Sequence, residues 1–292
     1  MIGTIIQNKY KILRKLGSGT YSSVYEAEHI HKHTKVAIKF DFDEISKRLI
    51  ENEISIYLYL HQNNMSDMAG IKSYGKNEDS NFIIMKKLDC SLHEYYNKCY
   101  SNTDMTNSKF LEINKKVVIM LIKLIKNFHS MKLVHRDIKP ENFMFDSNKS
   151  LCIIDLGISK PYDPEIKSRT FVGNEYFTSY IVHKSEYVYK PKDDMISIFF
   201  MMFYLISEGD IPWKNIHMFN SKHKDEVMYT MKKYTNFSKY YKNNKNFSLI
   251  KPFIDLYNVI EFNMCYEGED FIDYEYMIDT AEKIKEYTDN DN

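Results

Sequence analysis

The sequence predicts an α+β fold, with a small strand-rich N-terminal part carrying one helix, followed by a larger, mainly helical part. Three observations lead there. Up to about residue 85, short β-branched or aromatic runs alternate with turn residues. One amphipathic helical pattern interrupts them, and beyond Ser91 helical periodicity dominates. With 292 residues the chain is long enough to bury a sizeable core.

The elements follow in order. Tyr10–Leu16, Ser23–His29 and Lys35–Phe40 read as strands. Ile45, Leu49, Ile50, Ile54, Tyr57 and Leu58 recur at helix spacing, and Phe82–Met85 is a further apolar strand. The change of pattern falls near Lys86–Cys90. Residues 100–109 read as a polar connection and Val117–Phe128 as an apolar helix. Two short strands, Phe143–Phe145 and Leu151–Ile154, are joined by the turn Asp146-Ser147-Asn148-Lys149. Met195–Ile206, interrupted only by Ser197, is apolar all round and is expected to be a buried helix.

Composition narrows the function. Hydrophobic residues make up 43% and charged residues 27%, as in ordinary globular chains. Forty basic residues balance 40 acidic ones, which argues against a nucleic-acid or anionic-membrane partner for the chain as a whole. The longest apolar run falls short of the roughly 20 residues that span a bilayer, and no secretory signal is visible, so an intracellular, soluble protein is expected. Cys90, Cys99, Cys152 and Cys265 are scattered without a C-x-x-C, which supports neither a zinc site nor a disulfide framework. The 24 Tyr, 18 Phe and 16 Met against 9 Gly and 6 Pro read as the coding bias of an A/T-rich genome rather than a fold signal.

Four segments carry chemistry. Leu16-Gly17-Ser18-Gly19-Thr20-Tyr21-Ser22-Ser23-Val24 places a Gly-x-Gly turn between two strands, where backbone N–H groups can close over a phosphate. Taken alone, it reads better as a plain glycine hairpin. Lys39 ends the strand Val36-Ala37-Ile38-Lys39. It can bind phosphates if a carboxylate on the following helix fixes it, with Glu53 the first candidate and Glu51 the second. His135-Arg136-Asp137-Ile138-Lys139-Pro140-Glu141-Asn142 holds an acid that can accept a hydroxyl proton, a lysine beside a transferring phosphoryl group, and an amide for Mg²⁺. Asp155-Leu156-Gly157 then offers a carboxylate for a bridging metal.

In this order the motifs resemble the eukaryotic-type protein kinase superfamily. Gly173-Asn174-Glu175-Tyr176-Phe177-Thr178-Ser179, Lys192-Asp193-Asp194-Met195, Ile211-Pro212-Trp213 and the tail Asp270–Ile284, led by Asp273-Tyr274-Glu275-Tyr276, resemble the casein kinase 1 group. The A/T-rich composition suits a large DNA virus or an A/T-rich protist, and for a viral member a virion location joins cytoplasm and nucleus. The resemblance implies a bilobal fold, with an antiparallel-sheet N-lobe plus one helix over about 1–85, a hinge over about 86–90, and a mainly helical C-lobe over about 91–292. It implies a serine/threonine protein kinase acting as a monomer on ATP and protein substrates, with Mg²⁺ or alternatively Mn²⁺. By the same resemblance Asp137 is the catalytic base, Lys139 steadies the γ-phosphate, Lys39 and Glu53 form the phosphate-binding ion pair, and Asn142 and Asp155 hold the metal. Met85 is the gatekeeper, Leu88 meets adenine through its backbone, and Val24, Ala37, Met144 and Ile154 pack on the ring. Asp194 matches the buried acid that fixes the catalytic-loop backbone.

The chain departs from the group in places. Ser22 replaces the third loop glycine, Leu156 replaces a Phe, and Asn174 and Tyr176 stand where the group has Thr and an anion-binding Arg. Lys160, Lys167, Arg169, Lys190 and Lys192 are candidates for replacement charge. A pseudokinase scaffold is the alternative reading, although Lys39, Asp137 and Asp155 are all retained. His29, His31 and His33 would share a face in a strand and bind metal, but read better as a solvated turn. Ser168 and Thr170 are candidate phosphorylation sites for Arg136 to pair with.

Overall fold

Side-chain alternation at period two builds the main sheet of the computed structural model, which describes residues 1–65, 70–77, 80–216, 223–267 and 272–288. Strands β1 (Ile5–Ile6), β2 (Tyr10–Ser18), β3 (Ser22–His29), β4 (Lys35–Asp41), β5 (Ile71–Asn77) and β6 (Ser80–Lys86) form one antiparallel sheet, in the order β1-β2-β3-β4-β6-β5. Val36, Ile38 and Phe40 of β4 point to one face and bury against Ile12, Ala27, Phe82 and Ile84. Residues 30–33 form the turn after β3, where His33 adopts a positive φ and its Nδ1 lies 2.6 Å from a Glu28 carboxylate oxygen.

Helix α1 (Glu44–Gln62) starts at a capping box. The Asp43 carboxylate accepts from Ser46 N (2.8 Å), and Asp43 N donates to Ser46 Oγ (2.7 Å). Its inner face buries Ile50, Glu53, Ile56, Tyr57 and Leu60.

The chain divides into two compact units. One comprises Met1–Ser91 with Asn142–Ser159, and the other Leu92–Glu141 with Lys160–Asn292. Residues 142–159 therefore belong by packing with the sheet, whereas a single cut near 86–90 assigns them to the helical part. Strands β7 (Cys90–Ser91), β9 (Phe143–Phe145) and β10 (Leu151–Ile153) make a small antiparallel sheet in the first unit, with β9 central.

The second unit holds α2 (Leu92–Tyr100), α3 (Asn107–Ser130), the paired β8 (Leu133–Val134) and β11 (Lys160–Pro161), α4 (Pro191–Ile206), α5 (Lys224–Tyr234), α6 (Phe237–Tyr241), α7 (Phe247–Glu267) and α8 (Tyr274–Glu282). The expected polar connection at 100–109 shortens to 101–106, because Thr106 caps α3 by accepting from Lys109 N (3.3 Å). Helix α4 is buried at nearly every position, as its all-round apolar sequence requires. Pro191 occupies its first turn, where a missing N–H costs nothing. Asp273 caps α8, and residues 270 and 271 of the expected terminal helix lie outside the described residues.

Candidate active site

In the first unit, period two along β4 puts Ala37 and Lys39 on one face. Register sets Val24 of β3 opposite Lys39, and Met85 of β6 opposite Ala37. Val24, Ala37 and Met85 pack together with Ile50 and Ile83. Leu88, Met144 and Ile154 form a second cluster with Cys152. Between β2 and β3, Gly17 lies opposite Val24, and Gly19 N donates to Ser22 O (2.9 Å), closing the turn over Thr20 and Tyr21. Leu16 and Tyr21 are exposed, and Ser18 Oγ lies 3.1 Å from Ser23 Oγ. Packing within the chain demands neither loop glycine, since a Cβ at Gly17 or Gly19 meets nothing within 4 Å.

The Lys39 ammonium is buried and donates to two carboxylates, Glu53 Oε2 at 2.7 Å and Asp155 Oδ1 at 2.8 Å. Burial alone pulls a lysine down. The charges of Glu53 and Asp155 more than offset this and hold Lys39 above its ordinary value, so it is a fixed cation. Glu53 also accepts from Leu156 N (3.3 Å), which ties α1 to the segment after β10. Glu51 is exposed and accepts from Asn81 Nδ2 (3.4 Å) instead. Ile154 N donates to Asn142 O (2.9 Å), holding Asn142 beside the end of β10. Asp155 takes a left-handed backbone, φ 60°, unusual for a residue with a side chain. Asn52 Nδ2 donates to Gly157 O (2.9 Å) and Ser159 O (3.0 Å), and so fixes the turn that presents Asp155.

In the second unit, the segment after β8 carries Asp137, whose carboxylate accepts from Lys139 Nζ at 2.5 Å. The backbone leading to it hangs on fully buried Asp194, which accepts from His135 N (2.7 Å) and Arg136 N (2.9 Å). Tyr189 OH donates to the same carboxylate (2.9 Å), and His129 Nε2 lies 2.9 Å from it. Burial pushes the Asp194 carboxyl up, but the His129 contact and the other donors outweigh this and keep it below the ordinary aspartate value. Arg136, at φ 72°, places its guanidinium 6.0 Å from the Tyr189 ring centroid.

Of the candidate replacement charges, Lys167 (2.8 Å) and Arg169 (2.9 Å) both pair with Glu186. Ser168 forms a β-bridge with Tyr187, whose hydroxyl donates to Thr170 O (2.7 Å). Lys224 pairs with Glu175 at 2.5 Å, beside Tyr176.

Sequence reasoning passed over Asn52, Cys152 and Glu186. Asn52 had a signal, because a polar residue between Leu49 and Ile56 on the apolar face of α1 needs a buried partner. Cys152 shares a strand face with Ile154. Glu186 has no local signal. No group of three or more His, Cys, Asp or Glu side chains that could hold a metal gathers among the described residues. No helix among them is long and apolar enough to cross a membrane. A family model described as protein kinase domain matches residues 10–273.

Proposed function

The chain belongs to the protein kinase family, with the family's antiparallel-sheet N-lobe and helical C-lobe, and on that premise we propose that it is a serine/threonine protein kinase of casein kinase 1 type. It transfers the γ-phosphoryl group of ATP to hydroxyls of protein substrates. The observation that carries this reading is Lys39 clamped between Glu53 and Asp155 at 2.7 and 2.8 Å, a cation held ready for phosphate oxygens. Val24, Ala37, Met85, Leu88, Met144 and Ile154 are the apolar groups assigned to the base, and the turn 16–22 is assigned to the phosphates.

Asn142 and the 40% exposed side chain of Asp155 are hard oxygen donors, so they fit Mg²⁺, which takes one or two such groups and completes its shell with phosphate and water. Mn²⁺ suits the same donors. Bound there, the ion supplies neutralisation of phosphate charge. Asp137 orients the acceptor hydroxyl and receives its proton, while Lys139 offsets charge on the transferring group. Lys39 holds the phosphates in line, so positioning and electrostatics account for the rate. The sequence Lys139-Pro140-Glu141-Asn142 supports Ser/Thr over Tyr.

The test is transfer from γ-labelled ATP with Mg²⁺ to casein, to a basic protein and to the enzyme itself, with Asp137→Asn alongside. Transfer by the wild type and loss of at least a hundredfold in the variant are expected. No transfer to any acceptor, with ATP still bound, would replace the proposal by a pseudokinase scaffold.

A further inference from the structure

Lys232, on α5, is completely buried. Its Nζ donates to two main-chain carbonyls, Glu175 O at 2.8 Å and Thr178 O at 2.6 Å. It also lies 5.5 Å from the Trp213 ring centroid and 6.0 Å from that of Phe200. An unbranched apolar side chain of the same length would fill this space without the cost of desolvating an amine. What lysine adds is the pair of N–H donors.

Both acceptors belong to one short irregular segment, Gly173–Ser179, whose carbonyls no helix or strand satisfies. The same segment is held at three further points. Trp213 Nε1 donates to Tyr176 O (2.8 Å), and Ser179 Oγ donates to Asp193 Oδ1 (2.6 Å). At the other end Gly173, at φ 98°, sits so close to the catalytic loop that a Cβ would lie 2.5 Å from Arg136 O, one residue before Asp137. One end of the segment thus rests on the backbone that carries the proposed base, and its middle hangs on Lys232 and Trp213.

We propose that Lys232 is a positioning residue for the acceptor: with Trp213 it fixes Gly173–Ser179 as a rigid wall beside Asp137, against which the substrate polypeptide is aligned. This rests on the protein kinase reading above. Burial pushes the Lys232 amine well below the ordinary lysine value. Both carbonyls keep a donor in either protonation state, since even a neutral amine carries two N–H groups, one for each.

The test uses the full chain with casein as acceptor. Lys232→Met keeps an unbranched apolar stem in the same space but removes the terminal amine and with it both donors. KM for casein is expected to rise about tenfold, the loss of one to two buried hydrogen bonds, while KM for ATP stays unchanged. Hydrogen exchange at amides 174–179 is expected to quicken in step. Trp213→Phe, which removes the Nε1 donor together with part of the buried ring, should give the same signature at smaller size, and it carries the test if the first variant does not fold. An unchanged casein KM, or KM for casein and ATP rising together, would overturn the positioning role while leaving the kinase reading intact. A wild type that phosphorylates nothing would overturn both.

Discussion

Replacing Asp194 by asparagine probes how much the backbone of the proposed catalytic loop depends on one buried charge. Each carboxylate oxygen accepts one main-chain N–H, Oδ2 that of His135 and Oδ1 that of Arg136, at 2.7 and 2.9 Å. The amide that Asp194→Asn introduces therefore cannot flip out of difficulty, because its NH₂ faces a backbone donor in either orientation. Tyr189 and His129 can reorient, whereas a peptide N–H cannot. One orphaned buried donor costs about 1–3 kcal/mol, and the remaining bonds lose their charge assistance, which brings the total to about 3–5 kcal/mol. The single tryptophan, Trp213, is buried in the same unit and reports urea unfolding by fluorescence. The midpoint is expected to fall by roughly 1–2 M at a slope of about 2–3 kcal/mol/M, and kcat should fall with it because Asp137 follows Arg136 directly. The folded Asp194 carboxyl lies below its ordinary value of 3.8, so its contribution is present above that pH and fades as pH drops through the depressed folded value. Wild type and variant should thus converge only below about pH 4. A midpoint shift under about 0.3 M at neutral pH would refute this reasoning.

Two further outcomes follow from neighbouring groups. Burial pushes the Asp193 carboxyl from 3.8 up to about 7, so the folded chain keeps a proton that the unfolded chain releases. Stability from this group is full below about pH 4 and is lost as pH rises to about 7. At 1.36 kcal/mol per unit that is about 4 kcal/mol, and Asp193→Asn should flatten this stretch of the stability–pH curve. Gly173→Ala forces a Cβ against Arg136 O at a φ of 98°. A loss of roughly 2–3 kcal/mol is expected, read as a lower melting temperature, together with reduced turnover if the strained partner is, as proposed, the catalytic-loop backbone.

The parts of the fold and candidate site that are legible in sequence obey short-range periodicity. Alternation along Val36–Phe40 places Lys39 on the face opposite the apolar cluster, and helical spacing brings Glu53 to the inner face of α1. The all-round apolar run that predicts a buried helix corresponds to α4. What sequence hides depends on partners far along the chain. Lys232 stands in Met231-Lys232-Lys233-Tyr234, which reads as a solvated basic turn of helix. Its burial comes from carbonyls more than fifty residues earlier. Glu186 gains meaning only because the chain doubles back to set Lys167 and Arg169 beside it. Strand β5 also escapes a pattern search, because Ile71–Asn77 is partly exposed throughout and has no apolar face to announce it.

The first unit is discontinuous, which sets an order on its assembly during synthesis. Strands β1 to β6 and helix α1 emerge early, yet Cys90–Ser91 pairs with Phe145–Met144, and Lys39 gains its second carboxylate only at Asp155. Leu92–Glu141 must be made in between, which at about 5–20 residues per second takes roughly 3–10 s. Throughout that interval the nascent sheet holds an ammonium with one counter-ion instead of two, and the strand at 90–91 lacks its neighbour. The complete ion-paired Lys39, the proposed anchor for phosphate, is thus among the last features of its own unit to close, and a ribosome stalled before residue 155 would present a nearly complete sheet that lacks it.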